Sequence, residues 1–233
     1  MSSPRAKPSP WLELLVTIAL PALVLMQLSS ASRLGPVGAL LLALAFPLAY
    51  GGWDLLRQRK LNLMAAIGVV STLLTGGIGL LALDPQWLAV KEAAVPGAIG
   101  LAVLISARTR HPLVRVLVFN RAIFDVDRVQ HALRERGTEA AFDTRLRNGT
   151  LLLAGTFLFS AVANYLLARW VVTSPAGTEA FNTELGRMTL LSYPVIAIPS
   201  LLMMVGVMFY LARGAQRLTG LELEQMLKSA AGK

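Results

Sequence analysis

The chain has 233 residues, 55% of them hydrophobic, a formal net charge of +9 and no cysteine. Its mean hydropathy is +0.60, and charged residues make up 15% against about 25% in ordinary soluble domains. That balance excludes a soluble globule and a disordered chain, and it fits a polytopic membrane protein.

A crossing needs roughly 20 mainly apolar residues. Six stretches qualify: 11–28, 34–56, 61–83, 86–106, 151–172 and 189–212. The first is the shortest and holds Pro21. Its rival reading is a signal peptide cleaved after the small residues SSA at 29–31. The third, LNLMAAIGVVSTLLTGGIGLLAL, carries no charge, and its Gly76-Gly77 suits close helix approach. Asp84-Pro85 is a helix start, with Asp able to cap and Pro suited to the first turn.

Between spans four and five, residues 107–149 carry nine arginines against five acids. PLVRVLVFNRAIF, 112–124, sets apolar residues among Arg115 and Arg121 and reads as a helix lying on the membrane surface. After it, Asp127 is the expected N-cap of a second short amphipathic helix, with Val129, Leu133 and Phe142 at helical intervals. The predicted fold is therefore all-α, with six transmembrane helices in three hairpins. A single membrane domain comprises helices one to four (1–106), a cytoplasmic amphipathic segment (107–149), helices five and six (150–212) and a cytoplasmic tail (213–233).

Lys and Arg alternate along the connections. One side receives Arg5 and Lys7, the RQRK run at 57–60, the arginine-rich 107–149 segment, and Arg213, Arg217, Lys228 and Lys233. The other receives Arg33, Asp84, and Glu179 and Glu184 with Arg187. Both termini are expected to be cytoplasmic, and the positive charge points to the lipid bilayer as partner and not to nucleic acid. No cysteine and only two histidines leave no basis for a thiolate or histidine-rich metal site, so neither metal nor cofactor is expected.

Lys91 and Glu92 enter an otherwise apolar helix. Lys91 lies about 10 Å along it at about 1.5 Å per residue and can snorkel outward. Adjacent helix positions diverge by about 100°, so the two side chains are not expected to face each other. Arg169, near the outer end of span five, is the expected partner of Glu92. Such a pair would offset part of the roughly 2.5–3.5 kcal/mol that a charge costs at the bilayer centre. Asn164 and Tyr165 lie past the middle of the same span, where Asn commonly bonds between helices. Lys91, Glu92, Asn164, Tyr165 and Arg169 thus form a candidate intramembrane polar site. Interfacial residues with one structural pair are the plainer alternative. Asp54 and Glu13, at the inner ends of spans two and one, read as interfacial. Pro47, Pro96, Pro194 and Pro199 lie inside the helices that run inward and are candidate kinks.

GGIGLLALDPQWLAVKEAAVPGAIGLAVLISARTRHPLVR joins a glycine-bearing helix to a short acidic turn at Asp84. A lysine, Lys91, then precedes the helical Pro96, and Pro112-Leu113 follows the helix. This layout, clearest over 70–115, resembles the septation protein A group of bacterial inner-membrane proteins. SAVANYLLARWVVTSPAGTEAFNTELGRMTLLSYPVIAIPS resembles a longer, six-span branch of it. The resemblance implies a non-enzymatic protein of the bacterial inner membrane that maintains the envelope or septum through other envelope or division proteins. A homo-oligomer is an open alternative. A small secondary transporter or channel around Glu92, Arg169 and Asn164 is the second class. An integral-membrane enzyme is the third, disfavoured because no nucleophile–base set or carboxylate-rich helix motif stands out. His111 and His131 read as interfacial and solvated.

Overall fold

The computed structural model describes residues 15–58, 63–109 and 124–227. Among these the regular elements are helices joined by short turns, and the β-type pairing is an isolated bridge between Phe124 and Leu227. The helices are α1 (Leu20–Leu28, entered by a π turn at Leu15–Ala19), α2 (Gly35–Gln58), α3 (Leu63–Leu80) and α4 (Gln86–Ser106). They continue as α5 (Val126–Arg136), α6 (Glu139–Val171), α7 (Glu179–Ser192), a π turn at Tyr193–Ala197, α8 (Ile198–Thr219) and α9 (Leu223–Met226).

Among the described residues three runs are long and apolar enough to cross a membrane: α4, α6, and the continuous Glu179–Thr219 run through α7 and α8. The first three expected crossings fall on shorter apolar stretches, Thr17–Leu28, Gly35–Tyr50 and Ala66–Leu80. The long runs expose much of their apolar surface. On α8, Leu201 is 62% exposed and Leu202 66%. A continuous face of this kind suits hydrocarbon, in which helices already satisfy their own backbone groups.

Residues up to Ala93 and Ala163–Ile196 form one compact unit. Its core gathers Leu25, Leu40, Ile78, Leu88, Phe181 and Leu185. Small residues set its close approaches. A Cβ on Gly186 would lie 2.8 Å from the Ala22 carbonyl oxygen, and one on Gly76 would lie 2.6 Å from Leu44 Cδ1. Gly76 therefore has the packing role expected of it, whereas Gly77 faces open space. Asn182 is fully buried, and its Nδ2 donates to Ser29 Oγ at 3.0 Å and to the Pro36 carbonyl at 2.7 Å. One amide thereby ties α7 to the turn between α1 and α2.

Ala94–Val162 and Ala197 onward form the other unit. Here Val129 and Leu133 of α5 pack with Phe142 and Leu146 of α6, Leu211 and Ala215 of α8, and Met226. Arg145 donates to the Tyr210 carbonyl at 2.8 Å and stacks on that ring, 3.4 Å from its centroid. Two expectations change in this unit. The N-cap of α5 is Asp125, which accepts from Arg128 N at 3.1 Å, and Asp127 lies in the first turn. An N-cap accepts from the amide two or three residues on, and here that bond is held by Asp125. The second amphipathic helix ends at Arg136 with Gly137 as its cap, and Phe142 belongs instead to α6, which starts at Glu139 and runs unbroken for 33 residues. Its early weak point, Gly149, is filled closely by Leu211. The expected surface helix at 112–124 lies, except for Phe124, outside the described residues.

The prolines act in two ways. Pro47 and Pro96 sit inside continuous helices. Pro21 and Pro199 instead follow π turns and occupy the first turn of α1 and α8. A proline ring clashes with the carbonyl four residues back. For Pro21 and Pro199 those residues are Thr17 and Val195, each inside its π turn. Widening the helix by one residue just there relieves the clash. Pro199 is thus part of a helix start, and Pro194 lies within the turn itself.

Candidate functional site

Asp84 Oδ1 accepts from Gln86 N at 2.8 Å and starts α4, which fixes the phase at which Lys91 and Glu92 emerge. Facing them, α3 supplies Ser71 and Thr75, four residues apart and so on one face. Lys91 Nζ donates to Thr75 Oγ1 at 2.7 Å and to Ser71 Oγ at 3.3 Å. It also pairs with Glu92 Oε1 at 2.7 Å. The ammonium has three N–H donors, and each has a partner.

The expected Glu92–Arg169 pair is not formed. Lys91 is drawn toward α3 by the two hydroxyls, and its long stem brings the ammonium within reach of the folded-back Glu92 carboxylate. A 100° divergence at Cα does not keep two flexible side chains apart. Arg169 is exposed and makes no ion pair among the described residues. Tyr165 is exposed as well, and Asn164 is half-buried. The structure brings Lys91 and Glu92 together and leaves Asn164, Tyr165 and Arg169 out of their cluster.

Glu92 lines a cleft of about 140 Å³ within the first unit. Thr17, Pro21, Pro47, Thr72, Thr75 and Thr189 share that lining with apolar side chains from α1, α2 and α7. The threonines set its polarity. Thr72 donates its hydroxyl proton to the Gly68 carbonyl at 2.9 Å, Thr75 to Ser71 at 3.0 Å, and Thr189 to Leu185 at 2.9 Å. With their protons committed to their own helices, these oxygens remain as acceptors. Glu92 Oε2 accepts no bond among the described residues. Pro47 has no N–H, so the carbonyl of Ala43, another lining residue, loses its normal helical donor. Chemically the cleft is mostly apolar, with four threonines and the Lys91-paired Glu92 carboxylate as its polar lining.

Reading the sequence alone misses Ser71, Thr72, Thr75 and Thr189. The available signal is the hydroxyl pair Ser71-x-x-x-Thr75 in an otherwise charge-free span, at the spacing that puts two oxygens on one helix face. Comparison with family models, curated proteins and solved structures gives no match for this chain.

Proposed function

We propose that the chain is a six-span protein of the bacterial inner membrane, with three helical hairpins and both termini cytoplasmic, that passes a small polar solute or ion through the Glu92 cleft. The observation that carries this reading is the half-buried Lys91–Glu92 pair, seated on Ser71 and Thr75 beside a cleft that Glu92 and four threonines line together with apolar side chains. Ionisable groups within a membrane helix are costly and mark solute or ion pathways. The site narrows from the five residues read in sequence to Lys91 and Glu92 with the hydroxyls of α3.

Flux through reconstituted vesicles tests the reading. Glu92→Gln is expected to abolish it, and Arg169→Gln to leave it intact. Equal flux in wild type and Glu92→Gln would remove the proposal. Threading is tested separately on this cysteine-free background. Arg59→Cys and Arg134→Cys are expected to resist a non-permeant thiol probe in intact cells, and labelling of either inverts the map.

An envelope or septation role through protein partners is the second reading. It is favoured because residues that carry the resemblance meet around one structure: Asp84 caps α4, Gly76 packs on Leu44, and Lys91 holds the ion pair. A deletion strain with normal shape under osmotic stress would end it.

A further inference from the structure

We infer that the groove along α8 and α9 binds an acyl chain of an anionic phospholipid, whose headgroup phosphate is taken by Arg213. The site lies wholly within the second unit and is independent of the Glu92 reading. Val205, Met208, Phe209 and Ala212 stand at i, i+3, i+4 and i+7 along α8 and so share one face. Leu223 and Leu227 line the groove from the α9 side. Among the described residues every lining side chain is apolar, and alanines at 212 and 215 leave a space of about 360 Å³. That falls in the roughly 300–1,000 Å³ range of ligand pockets.

Three observations point to a lipid. The groove continues an apolar surface: Leu201 and Leu202 precede Val205 on the same side of α8, and Phe209 is itself 62% exposed. An acyl chain already in the bilayer enters without leaving hydrocarbon. The groove also has a matching depth. Val205 and Arg213 are eight residues apart, about 12 Å at about 1.5 Å per residue. Half of a hydrocarbon core of roughly 30 Å is close to that. Finally, the groove ends at a cation. Arg213 is the first charge after the apolar stretch 189–212. Its guanidinium lies over the Phe209 ring, 5.4 Å from the centroid, and makes no ion pair among the described residues. Over a ring face it keeps its in-plane N–H donors, which match a phosphate. Arg217 lies in the last turn of α8, where the helix carbonyls favour a cation. Arg213 stands clear of that turn. A choline headgroup brings its own cation against these arginines, and a glycerol headgroup does not. The site therefore selects a net-negative lipid.

The test uses full-length protein purified in detergent, mixed with equal amounts of phosphatidylglycerol and phosphatidylcholine. Native mass spectrometry counts the lipids retained. Wild type is expected to prefer phosphatidylglycerol, and Arg213→Gln to lower that preference about fivefold, the effect of one basic residue beside an anionic lipid. Arg147→Gln, on an exposed residue of α6, is expected to leave it unchanged. Ala212→Phe fills the groove and is expected to retain less of both lipids; Val205→Trp serves if Ala212→Phe does not fold. Equal retention of the two lipids by wild type overturns the headgroup assignment, as does an equal effect of Arg213→Gln and Arg147→Gln. Retention undiminished in both groove variants overturns the groove. A lipid-free dimer that Ala212→Phe splits would give the groove to a second copy. Retention that appears only when residues 228–233 are removed would give it to the chain's own tail. Either result overturns the lipid site.

Discussion

Breaking the Lys91–Glu92 pair from each side tests whether it acts as one unit. At 2.7 Å the Coulomb attraction is about 6 kcal/mol at an effective dielectric near 20, a gross figure that desolvation largely cancels. What decides the net cost is the group left behind. Glu92→Gln leaves Lys91 with Thr75, Ser71 and an amide oxygen, so the loss is that of one charge-assisted bond, about 1.5–3 kcal/mol. Lys91→Met strands an ionised carboxylate beside oxygen acceptors. A fully buried orphan charge costs about 3–5 kcal/mol. Glu92 keeps 27% of its side chain exposed, which lowers the cost to about 2–4 kcal/mol. Lys91→Met is therefore expected to destabilise more than Glu92→Gln, and the double variant to recover part of the loss. Reversible unfolding by SDS titration in mixed micelles gives all four corners of the cycle. A coupling of about 1 kcal/mol or more supports the pair. Additivity within about 0.5 kcal/mol would show that the two charges are independent neighbours.

Gly186→Ala would place a methyl 2.8 Å from the Ala22 carbonyl, which cannot turn aside; a loss of about 1–3 kcal/mol is expected in the same assay. Gly77→Ala meets nothing within 4 Å and is expected to be neutral or to gain about 0.5–1 kcal/mol from reduced chain entropy. Asp125→Ala removes the cap of α5 and is expected to cost about 0.5–2 kcal/mol, seen as faster hydrogen exchange at Arg128 and its neighbours.

Composition and charge spacing made the helical class legible, because an uninterrupted apolar run such as α4 announces itself. Helix phase did not carry over to partners. Lys91 and Glu92 diverge on a helical wheel, yet a hydroxyl pair on α3 reorients one of them, and that pair shows only weakly as two small polar residues. Asp127 resembles a cap in sequence, but the cap is Asp125, whose backbone angles lie outside the helical region and whose carboxylate accepts from Arg128 N. The start of α6 was obscured by the arginines at 145 and 147. A charged turn there reads as surface, while Arg145 in fact lies against Tyr210.

Two short strings explain where the long helices yield. Ile18-Ala19-Leu20-Pro21 and Ile196-Ala197-Ile198-Pro199 share one pattern, and each sits at the end of a π turn. The common cause is a proline whose ring must avoid the carbonyl four residues earlier. Pro47 meets the same constraint without a π turn, so α2 stays continuous and leaves the Ala43 carbonyl without its usual donor. Pro21, Pro47, Thr17 and Ala43 all line the cleft that Glu92 enters. Backbone strain relief and side-chain chemistry therefore converge on one place. There the prolines withhold donors and the threonines spend theirs on their own helices, while the rest of the lining is apolar.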